Sequence, residues 1–219
     1  HRLSRALTTP ALLAPPHPVR FRGSRLARAL LALAGWRVIE NGFPARQGVA
    51  IVYPHTSNWD FVVGVLAKWS IGIPVRFWGK DTLFDVPLFG RWLRWLGGMP
   101  IERHSPRGAV GPMVHTMREA VARDELLWLA LSPEGTRRRT EGWRSGFYQV
   151  ALGAGVPLAL VVLDYGQRQV RVHDFLLLGG DTTADYALIG QGFAGAQGFQ
   201  PWKASPVQPL PKPLTADTV

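Results

Sequence analysis

The sequence predicts a single α/β domain, with a mixed and mostly parallel sheet flanked by helices. Three observations carry that reading. Short β-branched or apolar runs alternate along the chain with longer stretches of helical period. The strand-like runs are apolar throughout rather than alternating, as buried strands are. The chain has 219 residues and is 47% hydrophobic, enough to bury one substantial core.

The elements follow in order. Val38 to Glu40 reads as a short strand, and Val49 to Tyr53 as a buried one stopped by Pro54. Thr56, Ser57 and Asn58 carry cap-forming side-chain oxygens, so a helix is expected from about Ser57 to Trp69. A strand at Val75 to Gly79 leads to an aromatic helix in PLFGRWLRWLGG and a short strand at Met99 to Arg103. Val110, Met113, Val114, Met117 and Val121 lie on one face of a helix over Ala109 to Arg123. Leu126 to Leu131 is a buried strand ending in SPEGT. Gly146 to Leu152 reads as a helix, Leu158 to Asp164 as a buried strand, and Val170 to Val172 as an alternating one. The expected organisation is a basic arm over residues 1–35, a domain over 36–199 and a Pro-rich, extended tail over 200–219. Residues 1–20 read as a targeting remnant or a trimmed end and carry no fold expectation.

Composition excludes several chemistries. Without cysteine there is no disulfide, thiolate nucleophile or Cys-based zinc site. The six histidines show no metal-ligand spacing, so neither metal nor cofactor is expected. No nucleophile elbow GxSxG and no Walker loop is present. GQGFAG, Gly190 to Gly195, matches a dinucleotide fingerprint, but no βαβ unit can follow it, and a glycine-rich turn is the better reading.

The net charge is +10, and residues 1–50 hold eight arginines against one acid, Glu40. That asymmetry fits an anionic partner, membrane surface or nucleic acid, and equally a solvated basic tail. No nucleic-acid module is recognisable, so no nucleic-acid partner is expected. No apolar run reaches the 18 or so residues of a spanning helix. Leu26 to Trp36 reads either as an interfacial amphipathic helix or as an ordinary packing helix. The oligomeric state is left open.

The chemistry concentrates in four blocks. In PHTSNWD, His55 and Asp60 are five residues apart, about 140° around a continuous helix, and so cannot share its face. If the chain turns between them, the carboxylate can fold back onto one imidazole nitrogen and leave the other free as a base. A loop histidine and a first-turn aspartate also arise for structural reasons alone. The second block is Gly98-x-Pro100-x-x-Arg103. The third is Glu134-Gly135-Thr136-Arg137, directly after a buried strand, where amides, a hydroxyl and a guanidinium suit phosphate. The fourth is Val156-Pro157.

In order and spacing these blocks, which span residues 55 to 157, resemble the glycerolipid acyltransferase family, which includes the lysophosphatidic acid acyltransferases. The resemblance implies a glycerol-phosphate acyltransferase-like fold and acyl transfer from an acyl thioester (acyl-CoA or acyl carrier protein) to the hydroxyl of a lysophospholipid such as 1-acyl-glycerol-3-phosphate. It implies His55 as the general base and Asp60 as its orienting carboxylate. Arg103, Glu134, Gly135, Thr136 and Arg137 would bind the acceptor's phosphate. Arg144, in a Trp143-Arg144-Ser145-Gly146 stretch like that of smaller members, would join them, and Pro157 would shape the acyl side. It further implies peripheral attachment to an anionic membrane, at the cytoplasmic face of a bacterial inner membrane. A non-catalytic basic lipid-binding protein, or a lipid hydrolase on the same scaffold, are the alternatives.

Overall fold

A computed structural model describes residues 8–101 and 106–211, without the side chains of 106 and 107. Five strands form the parallel centre of an eight-stranded sheet, in the order β7 (Leu158–Asp164), β3 (Gln47–Tyr53), β6 (Leu127–Leu131), β4 (Val75–Lys80), β5 (Gly98–Ile101). β8 (Gln169–Leu177) runs antiparallel to β7; β1 (Ala11–Leu12) and β2 (Arg37–Glu40) both pair with β8. The sheet is therefore mixed and mostly parallel, with helices on both faces.

Alternation along β3 builds two cores. Val49, Ile51 and Tyr53 face a layer of α5 (Pro106–Ala122), α6 (Gly146–Ala154) and α7 (Thr182–Gly192). Ala50 faces the other layer, where α1 (Arg25–Leu33) lies along α2 (Trp59–Ile71) through Leu31, Val63 and Ala67. Of the remaining helices, α4 (Phe89–Trp95) adjoins α2 through ring contacts of Phe61 with Trp92 and of Trp69 with Trp95, and α3 (Asp81–Phe84) packs on α4, where Arg94 lies over the Phe84 ring.

Two elements are added to the sequence reading, and one of its expectations, the extended tail, is corrected. Residues 8–21 belong to the fold: β1 extends the sheet, His17 is buried, and Val19 bridges Phe43. The tail is not simply extended, because it makes a 3₁₀ turn at Pro201–Lys203 and then returns to the body, where Leu210 N–H donates to Trp143 O and Trp143 N–H to Gln208 O. A whole helix, α7, precedes the glycine run: Asp181 caps it by accepting from Thr183 and Ala184 N–H. The glycines end that helix rather than open one, the reverse of a phosphate-binding turn.

Candidate active site

Parallel strands deliver their carboxyl ends to one edge, where open α/β sheets bind ligands. Here β3 delivers His55, β6 delivers Glu134, and β7 delivers Tyr165, with β3 between the other two.

The chain does turn between His55 and Asp60. Asn58 caps α2 without a side-chain hydrogen bond, and Asp60, in the first turn, folds back instead. Its Oδ2 accepts from Thr56 N–H at 2.7 Å and Ser57 N–H at 2.8 Å, and lies 3.1 Å from His55 Nδ1. Its Oδ1 accepts the Tyr165 hydroxyl at 2.7 Å. The carboxylate is buried while the imidazole is a quarter exposed, and its Nε2 meets no hydrogen-bond partner among the described residues. Burial opposes the carboxylate's charge. Hydrogen bonds from His55, Ser57 N–H and Tyr165 outweigh it and hold Asp60 below its ordinary pKa. Burial first, and then Asp60, drive the Tyr165 phenol well above its ordinary value.

Glu134 is only 1% exposed, and its two oxygens accept His55 N–H at 2.7 Å and Ser205 N–H at 2.8 Å. Burial raises its pKa, against the pull of those two amides. This corrects the expectation that Glu134 contacts phosphate: an inward carboxylate cannot donate to an anion, and both its oxygens are already occupied holding the His55 loop. Burial, with Glu134 nearby, also pushes the Tyr53 phenol up to about 12 while its hydroxyl donates to Ser205 O at 2.9 Å.

The rest of the third block faces out. Gly135 turns with φ +66°, and a Cβ there would sit 2.7 Å from the side chain of Arg144, so that arginine lies directly over the glycine. Arg137 is exposed and donates to Asn58 Oδ1, which draws it beside the His55 loop. Thr136 Oγ1 accepts Arg138 N–H at 3.3 Å. Arg103 lies outside the described residues. Pro157 does not join the cluster: it precedes β7 at the opposite edge of the sheet, and its carbonyl accepts Val49 N–H at 3.0 Å. Val49 and Tyr53 are four residues apart on β3, on the order of 13 Å. Pro157, expected to shape the acyl side, therefore stands apart from the His55 cluster.

The sequence reading missed Tyr165 and the tail. The only signal for Tyr165 is its place after a buried strand. For the tail, Gln200 N–H donates to Thr56 Oγ1 at 3.1 Å, and Ser205 is fully buried against Glu134 and Thr140. The described residues hold no group of three or more His, Cys, Asp or Glu side chains that could bind a metal ion.

The family model described as Acyltransferase matches residues 37–163, more than half of the chain. The chain belongs to the acyltransferase family. Its matched segment holds His55, Asp60, Glu134 and Arg137. The chain is also similar to a chloroplastic 1-acyl-sn-glycerol-3-phosphate acyltransferase, BAT2, of Brassica napus, at 27% identity over 112 residues. That match covers 50% of this chain and 32% of the relative, so the chain spans about a third of that relative's length. Among solved structures, it is similar to the 1-acyl-sn-glycerophosphate acyltransferase PlsC of Thermotoga maritima, with a TM-score of 0.46 and 16% identity. The overlap is 75% of this chain and 71% of that one.

Proposed function

We propose that this protein transfers a fatty acyl group from an acyl thioester, acyl-CoA or acyl carrier protein, to the hydroxyl of a lysophospholipid such as 1-acyl-glycerol-3-phosphate. One observation carries the reading: a buried carboxylate on Nδ1 of a part-exposed histidine whose Nε2 has no described partner. In that arrangement Nε2 takes the acceptor's proton as its oxygen attacks the thioester carbonyl. The tetrahedral intermediate then collapses, the C–S bond breaks, and the leaving thiolate recovers the proton from the imidazolium. The products are an ester and a free thiol. Asp60 holds the tautomer and supports the transient positive charge. No cysteine is present, and no acyl-enzyme step is required.

Arg137, with Thr136, Arg144 and Arg103, is proposed to hold the acceptor's phosphate. Arg137 and Arg144 are exposed beside the His55 loop, and arginine's planar fork suits a phosphate. No helix among the described residues is long and apolar enough to cross a membrane. The basic N-terminal region supports work at an anionic lipid surface.

The test supplies labelled acyl donor with a panel of lysophospholipids and reads products by mass spectrometry. His55→Ala is expected to lower turnover about 10² to 10⁴-fold while the protein stays folded. Near wild-type turnover in that variant would sink the mechanism, and free fatty acid as sole product would mark a hydrolase.

A further inference from the structure

The far end of α2 holds a second feature, which acyl transfer leaves unused. An open cleft of about 560 Å³ lies between the segment entering α1 and the turn leaving α2, with Arg22, Ser24, Lys68 and Trp69 on its walls. Two glycines let those segments meet. A Cβ on Gly23 would fall 1.8 Å from Ser70 O, and one on Gly72, at φ +85°, would fall 2.3 Å from Arg22 O.

The cleft is cationic and uncompensated. Lys68 Nζ spends one bond on Leu96 O at 2.7 Å, and Arg28 reaches Ser70 O at 3.1 Å. None of the ion pairs among the described residues involves Arg22, Arg25, Arg28, Lys68 or Arg76. α1 starts at the cleft wall with no acid in its first turn and with Arg25 at its first position, against its own dipole. Ser24 Oγ satisfies Ala27 N–H, and the remaining first-turn amides have no partner within the helix. Burial, and then Arg76, depress the Lys68 pKa, the signature of a cation crowded without a counter-ion.

The surroundings are apolar and bare. Leu26, Leu30 and Leu33 recur along one face of α1 at 70%, 45% and 85% exposure. Trp95, 71% exposed, stands beside Trp69 of the cleft wall at a ring separation of 6.1 Å. An uncompensated cationic cleft bordered by exposed leucines and a tryptophan matches a lipid: anionic head in the cleft, acyl chains against the apolar residues.

We propose that this cleft binds the phosphate headgroup of an anionic phospholipid of the membrane, with the leucines of α1 and Trp95 entering the same leaflet. The inference rests on the reading that the protein works at an anionic lipid surface, and not on the chemistry of His55. The two sites sit at opposite ends of α2, a helix of 13 residues and about 20 Å. The headgroup in the cleft is therefore a docking lipid, distinct from the acceptor.

The test is co-sedimentation of the full chain with vesicles of phosphatidylcholine containing phosphatidylglycerol. The Arg22→Gln/Lys68→Met double variant removes the cleft's charges and keeps the aliphatic stem of Lys68. Its charge-matched control, Arg118→Gln/Arg123→Gln, takes one arginine on α5 and one just after its end, across the sheet. The cleft variant is expected to lose about tenfold or more in vesicle affinity, as loss of charge-assisted hydrogen bonds does, while the control loses under about threefold. Acyl transfer to a detergent-dispersed acceptor is expected to be unchanged in the cleft variant, with its melting temperature confirming the fold. Equal losses in the two variants would reduce the cleft to diffuse attraction and overturn the proposal alone. A wild-type protein that ignores the vesicles would overturn both the proposal and the lipid-surface reading.

Discussion

The two ends of α2 are built on opposite principles. At its N-terminal end every carboxylate oxygen is committed: Asp60 and Glu134 together accept from the backbone of His55, Thr56, Ser57 and Ser205, from Tyr165 and from His55 Nδ1. At its C-terminal end Arg22 and Lys68 face a cleft with no carboxylate among the described residues paired to either. A saturated network fixes atoms, which a general base needs, since misplacement of a reacting group by about 1 Å can cost about 10²-fold. Unsatisfied cations fix nothing and wait for a partner that brings its own charge. Substitutions at the first end should therefore act on turnover, and those at the second on attachment.

The largest expected effect tests the first half of that contrast. Asp60→Asn keeps an oxygen where Oδ2 accepts from Thr56 and Ser57, and the new amide can donate to the Tyr165 oxygen, so the loop should hold. What is lost is the charge behind the imidazolium. Turnover should fall roughly 10² to 10⁴-fold with acceptor KM little changed. A variant within threefold of wild type would show that the buried carboxylate serves only the loop.

Next in size is Arg137→Ala. If Arg137 holds the acceptor phosphate, kcat/KM for a phosphate-bearing acceptor should fall about 10 to 150-fold, the worth of one charge-assisted hydrogen bond. The donor KM should stay put. Equal loss towards an acceptor lacking phosphate would remove Arg137 from that role and leave it as the partner of Asn58.

Tyr165→Phe should be gentler, about tenfold in kcat at most, because it removes one of several donors to Asp60. It has a readout that plain destabilisation would not give. With the hydroxyl gone, the Asp60 carboxyl should titrate closer to its ordinary value by carbon NMR, since that hydrogen bond is one cause of its depression. An unchanged Asp60 titration would make Tyr165 a packing residue, seated by its ring contacts with Trp36 and Phe199.

The turn from His55 to Asp60 was legible in the sequence because it is local: a strand, a proline, a run of cap residues and an acid all lie between residues 49 and 60. The strand ending in SPEGT was legible for the same reason, and so was the class of sheet. What could not be read is what depends on distant pairing. Glu134 looks outward in sequence, among glycine, threonine and arginines, yet it turns inward because the tail brings Ser205 N–H to it from 71 residues away. The tail itself reads as extended from its prolines, although proline fixes only φ and does not prevent docking. α7 carried a readable signal, Asp181 as cap with Tyr186 and Ile189 buried on one side, but its glycines and threonines masked the period. Ala27 and Leu31 of α1 are core residues, so deletion of residues 1–35 would open the core as well as remove charge, and point substitutions in the cleft separate the two.

The smallest expected effect is on stability, and its sign separates the two carboxylates. Asp60 has a lowered pKa in the folded protein, so its contribution is present above the ordinary carboxylate value and is lost as pH falls through the lowered one. Glu134 has a raised pKa, so it acts in the opposite sense: the folded state loses ground as pH climbs from the ordinary carboxylate value through the raised one. Below about pH 4 the melting temperature of wild type should drop, and Asp60→Asn should flatten that limb by about a few degrees. Glu134→Gln should remove the loss on the rising side of the ordinary value. It should also lower stability at every pH, because an amide offers one acceptor where His55 and Ser205 both present N–H donors. Melting curves of the three proteins across acid to neutral pH decide it, and an acid limb equally steep in Asp60→Asn would mean that other carboxylates carry the acid sensitivity.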